Sequence, residues 1–164
     1  CDLVDIGQFA TRFETEASKP TVSRNLTTQV GMDICTITRS HTEDADVRSV
    51  SLSFQAYVFS DVPQAQAYQK TLLDNAKLNT AVAEVPDLGE EAFAHENNQS
   101  SDAQKTTFAV TVNVRDSNLN WTTVLTAVRS DGAGWTRAEK RELQSAIATA
   151  TRSSFAKTVP VLAR

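Results

Sequence analysis

The chain has 164 residues, 40% of them hydrophobic, which suits one domain that buries about two-thirds of its unfolded surface and needs no metal to fold. Its 16 basic and 20 acidic residues leave a net charge of −4. The basic residues are scattered, which argues against nucleic acid as a partner, since phosphate binding needs a basic stripe.

Residues 5–17 read as a first helix. Asp5 caps it, Gln8 stands in the capping-box position, and Phe9, Phe13 and Ala17 share a face. Ser18-Lys19-Pro20 ends it, and the polar stretch from Thr21 to Gly31 reads as a loop. Met32–Ser40 is rich in β-branched residues and reads as a strand. Ser40–Asp46 reads as a polar turn. Val47–Phe59 alternates clearly, with Val50, Leu52, Phe54, Ala56 and Val58 on one side and Ser49, Ser51, Ser53 and Gln55 on the other. Tyr57 and Phe59 make its far end apolar on both sides, so that end is expected to be covered.

A second helix follows, with Asp61 as cap, Pro63 in the first turn and Gln64 in the box position. Ala65, Tyr68, Leu72 and Ala76 form its expected buried stripe. Next come a short extended piece, a turn over Pro86–Gly89 and a strand from Glu91. Lys105–Arg115 alternates with Phe108, Val110, Val112 and Val114 inward. Asp116-Ser117-Asn118 turns the chain into its partner, Leu119–Ser130. Thr136 and Glu139 form a further capping box, opening a long helix whose inner face carries Leu143, Ile147 and Ala150, with Phe155 near its end.

The predicted order is α-β-β-α-β-β-β-α. It implies one α+β domain over residues 1–164, with an antiparallel sheet of about five strands and the helices packed on one face.

Chemistry is sparse. His95 begins His-Glu-Asn-Asn-Gln, but Gln99 stands where a zincin motif needs its second histidine. His41 lies in the polar turn beside Glu43, Asp44 and Asp46. Those carboxylates lack the ordered spacing and distal glutamate of a calcium loop, and they read as a solvated turn. Glu90 and Glu91 are adjacent, so on a strand they point to opposite faces. No nucleophile elbow and no C-x-x-C occurs. Trp121 and Trp135 are the candidate ligand-binding residues, against a plainer reading as core and hydrophobic staple. Taken alone, Cys1 is open to four roles: lipid acceptor, half of a disulfide, metal ligand or free thiol.

Cys1-Asp2-Leu3 stands ahead of a helix, and Cys35 follows in the first strand. The pattern Ala65-x-x-Tyr68, the run Leu88-Gly89-Glu90-Glu91-Ala92-Phe93 and the hairpin Val114-Arg115-Asp116-Ser117-Asn118 complete a layout. It resembles a family of actinobacterial lipoproteins and secreted proteins of unknown function, although Ile37 stands where many members carry Trp. The resemblance implies an extracytoplasmic α+β domain, held to a membrane only through an upstream anchor. It also implies a disulfide between Cys1 and Cys35, and an even cysteine count suits an exported chain. Closing that loop would add roughly 3–4 kcal/mol in the chain-entropy model. It supplies no catalytic residues.

The resulting expectation is a non-enzymatic domain, an envelope lipoprotein or secreted protein, that binds a ligand or an envelope protein without metal or cofactor. Two alternatives stand beside it. One is a secreted hydrolase using His95 with Glu96, or His41 with Asp44 or Asp46. The other is a secreted inhibitor or interaction protein whose reactive segment is Ala94–Gln104.

Overall fold

The computed structural model describes Val4 and residues 21–26, 30–40, 47–97, 106–129 and 133–162; for residues 21–49 and 161–162 it describes the backbone only. The first helix, the turn around His41 and most of the segment after Asn97 lie outside the described residues.

The strands are β1 (Thr21–Leu26), β2 (Val30–Ser40), β3 (Val47–Phe59), β4 (Val82–Glu84), β5 (Glu91–Asn97), β6 (Thr106–Asp116) and β7 (Leu119–Arg129). The helices are α1 (Val62–Asn79) and α2 (Arg137–Leu162). All seven strands join one sheet in the order β1-β2-β3-β7-β6-β5-β4. Every pairing is antiparallel. The fold is therefore α+β, with more strand than the sequence reading held. The stretch expected to be a loop forms β1, with Thr21 opposite Thr36 and Leu26 opposite Gly31. An edge strand does not need an apolar face, so its polar composition hid it. The short extended piece before Pro86 is β4, which among the described residues pairs with β5 alone.

Local signals explain the helix starts. Asp61 caps α1, its Oδ1 accepting from the Gln64 backbone N–H at 2.9 Å and its Oδ2 from the Gln64 side chain at 3.1 Å. The Thr136–Glu139 box is reciprocal. Glu139 accepts from the Thr136 N–H at 2.8 Å, and Thr136 Oγ1 accepts from the Glu139 N–H at 3.3 Å. Ser117 turns the β6–β7 hairpin at φ +52°.

The helices do not share a face. Along β3, Leu52, Phe54 and Ala56 point toward α2, whereas Tyr57 and Phe59 meet Tyr68 of α1. Along β7, Trp121 meets Phe155 of α2, while its neighbour Asn120 bonds Gln69 of α1. Adjacent strand residues face opposite ways, so α1 and α2 sandwich the sheet. The apolar core lies on the α2 side, where Leu143, Ile147, Ala150 and Phe155 pack on the valines of β6 and the inner residues of β3 and β7. The expectation of helices on one face holds for α2 but not for α1, which lies over the polar side of β6 and β7. Alternation with the inward valines puts Thr111, Asn113 and Arg115 on the other face of β6, and there they are buried, as are Asn120 and Thr122 of β7. Among the described residues, no helix is long and apolar enough to cross a membrane.

Candidate functional site

That buried polar face is the floor of a cavity of about 540 Å³ beneath α1. Gln55 of β3, Thr122 of β7, Thr111 and Asn113 of β6, and His95 and Asn97 of β5 form the floor. Tyr68, Leu72, Asn75, Ala76, Asn79 and Thr80 supply the wall from α1 and its C-terminal end. Register brings the floor together. Gln55 lies opposite Thr122, Thr122 opposite Asn113, and Thr111 opposite His95.

The amides are held, not loose. Gln55 Oε1 accepts from the Tyr57 hydroxyl at 2.8 Å. Asn113 Oδ1 accepts from the Thr122 hydroxyl at 2.9 Å, and Asn97 Nδ2 donates to Thr111 Oγ1 at 2.7 Å. Each amide thus spends one end on the protein, which fixes its orientation. Among the described residues, no carboxylate, lysine or arginine lines this cavity. Burial, together with a hydrogen bond to Tyr57, raises the Tyr68 phenol well above the usual tyrosine range, so it stays neutral.

His95 is the one histidine in the described residues, and it stacks on Phe93 with ring centroids 6.0 Å apart. Its Nδ1 is buried with no hydrogen-bond partner, and burial lowers its pKa. Glu96, the proposed partner in a hydrolase, leaves on the opposite face. There it accepts from Lys140 at 3.2 Å and from Gln144 at 2.9 Å. The pair His95–Glu96 is therefore not assembled as acid and base. His41 with Asp44 and Asp46, and most of the loop Ala94–Gln104, lie outside the described residues.

Two further cavities flank the site. One, about 540 Å³, lies against α2 and is walled largely by Val85, Ala94, Val110, Val112 and Ile147. The other, about 710 Å³, runs between α1 and the turn after β4, with Lys70 and Lys77 facing Glu84, Asp87, Glu90 and Glu91. Arg115 closes one end of that charged region, paired with Glu90 and with Glu91 at 3.4 Å. Among the described residues no group of three His, Cys, Asp or Glu side chains could hold a metal.

Trp121 and Trp135 line none of these three cavities. Trp121 is 4% exposed, packs on Phe54 and Phe155, and donates its Nε1–H to Thr123 Oγ1 at 2.9 Å. Its strand is central in the sheet, not at an edge. Trp135 is half-buried ahead of the Thr136 cap, against Phe108, with the Arg129 guanidinium 5.4 Å from its ring centroid. Cys1 and the Cys35 side chain lie outside what is described. Apart from His95, the floor residues escaped sequence reading, but one signal was available. Asn113 sits inside the β-branched run Val110–Val114, where asparagine is disfavoured.

The chain matches no family model. No curated protein matches it at a significant level. Among solved structures it is similar to LpqN of Mycobacterium tuberculosis, described as involved in cell envelope biogenesis. Identity is 14%, the alignment covers 90% of this chain and 93% of that one, and the TM-score is 0.34.

Proposed function

We propose that this chain is a non-enzymatic, extracytoplasmic binding domain of the cell envelope or a secreted protein, and that it takes an uncharged hydrogen-bonding ligand, or a segment of an envelope protein, into the cavity beneath α1. One observation carries this reading: a floor of amides and hydroxyls, buried at Thr111, Asn113 and Thr122 and half-buried at Gln55 and Asn97, pre-oriented and open to a cavity without charged walls among the described residues. Polar groups buried at that density cost stability unless they are bonded. Leaving some bonding capacity open beside a cavity is the arrangement of a site. Of the hydrolase alternative, the His95–Glu96 arm is not favoured: among the described residues His95 Nδ1 has no partner and Glu96 serves the other face; the His41 arm lies outside the described residues.

The envelope location rests on the motif layout around Cys1, Cys35 and Leu88–Phe93. It carries with it the disulfide between Cys1 and Cys35. Intact-mass measurement under non-reducing conditions should give the oxidised mass, and two free thiols in air-exposed protein would remove the disulfide. For binding, the folded chain is screened by calorimetry against neutral saccharides, lipids and short peptides, alongside Asn113→Leu and Thr122→Val. A true cavity ligand loses about tenfold in affinity in either variant. Ligands that bind all three proteins equally would place the site elsewhere and refute the reading.

A further inference from the structure

The three floor amides differ in which end they keep for the cavity. Gln55 and Asn113 accept with their carbonyl oxygens, from Tyr57 and Thr122. Their NH₂ groups have no partner among the described residues, and Asn113 is only 2% exposed. Asn97 is the reverse. Its NH₂ is spent on Thr111, and its carbonyl is left. The amides of the floor therefore offer two donor groups and one acceptor.

This inventory discriminates among neutral ligands. A hydroxyl carries its acceptor and its donor on one atom, whereas the floor's two donor groups stand on β3 and β6 and its amide acceptor on β5. A secondary amide carries the two functions on separate atoms, an oxygen with two lone pairs and an N–H. A charged head would enter walls that, among the described residues, hold no counter-charge, which burial penalises. Resting on the cavity reading above, we propose that the group recognised on the floor is a secondary amide. Its carbonyl oxygen accepts from Gln55 and Asn113, and its N–H donates to Asn97. An N-acetylated sugar and a peptide backbone both carry that group.

The test uses the full chain labelled with ¹⁵N, reading the side-chain NH₂ resonances of Gln55, Asn97 and Asn113 by NMR. Three probes are titrated separately: N-acetylglucosamine, N-acetylalanine methylamide and glucose. Either amide probe should shift the Gln55 and Asn113 signals, while glucose, with hydroxyls alone, leaves them. A response only to N-acetylglucosamine assigns the amide to a sugar, and a response only to the alanine derivative assigns it to polypeptide. Asn113→Leu should weaken the responding probe about tenfold. Gln55→Leu, at a less buried position, should do the same if the first variant folds poorly. Equal shifts with glucose would overturn the amide assignment and leave the cavity reading standing. No shift of any cavity resonance with any probe would overturn both.

Discussion

Gly89 is where a single methyl group should do the most damage for its size. Its φ is +62°, a region where an L side chain costs about 1–2 kcal/mol. A Cβ placed there would lie 2.6 Å from the Arg115 carbonyl oxygen and 2.8 Å from Val114 Cγ1. Neither neighbour can step aside, because Arg115 and Val114 are buried and paired near the C-terminal end of β6, at 3% and 0% exposure. The same carbonyl accepts from the Glu90 N–H at 2.8 Å, a bond that the added methyl would force open at a cost of about 1 kcal/mol. Gly89→Ala should therefore lose about 2–3 kcal/mol in urea denaturation with an unchanged m-value. For a domain of this size, that lowers Tm by roughly 4–12 °C. Gly134→Ala is the internal control. Its Cβ would meet nothing within 4 Å, so its stability should stay within about 0.5 kcal/mol of the parent. A Gly89→Ala loss as small as the control's would show that the turn does not press on β6 as described.

The other expectations are independent of that turn. Leu125 is fully buried in central β7, and Leu125→Ala should cost about 2–5 kcal/mol by the same denaturation assay. Thr136→Ala removes the cap of α2 and should cost about 1 kcal/mol, leaving the far end of the helix unchanged in hydrogen exchange. Burial depresses the pKa of His95 in the folded state, so below about pH 6.5 the unfolded chain binds the proton first. His95 should add nothing to the pH dependence above that value. Stability should fall as pH drops from there to the depressed folded value, and His95→Gln should flatten that portion of the profile.

Much of the architecture was readable because apolar residues and caps carry it. The alternation of Val50, Leu52, Phe54 and Ala56 marked the core face of β3, and Leu143, Ile147 and Ala150 marked that of α2; all are buried as read. The boxes at Asp61 and Thr136 marked both helix starts. The double-sided apolar end at Tyr57 and Phe59 correctly signalled a cover, which Tyr68 supplies. The site was not readable for a matching reason. A polar face looks the same in sequence whether water or a helix lies over it. Only pairing, register and the placement of α1 show that Asn113 and Thr122 are inside. On α1 itself, Gln69 is buried at 2% exposure, a position that an apolar-stripe count passes over.

The sandwich has unequal halves. On one side α2 sits in hydrocarbon, and lifting it would expose Ile147, Leu143 and Phe155 together with the wall they cover. On the other, α1 is held by two buried alanines, the tyrosine contacts and the Gln69–Asn120 bond, over groups that water would solvate well. Detaching α1 therefore exposes much less apolar surface. The α1 amides should exchange with solvent through a partial opening well below the global unfolding energy, whereas the central amides of α2 should wait for the whole fold. The molecule then has its own doorway: the helix that roofs the cavity is also the layer that leaves first.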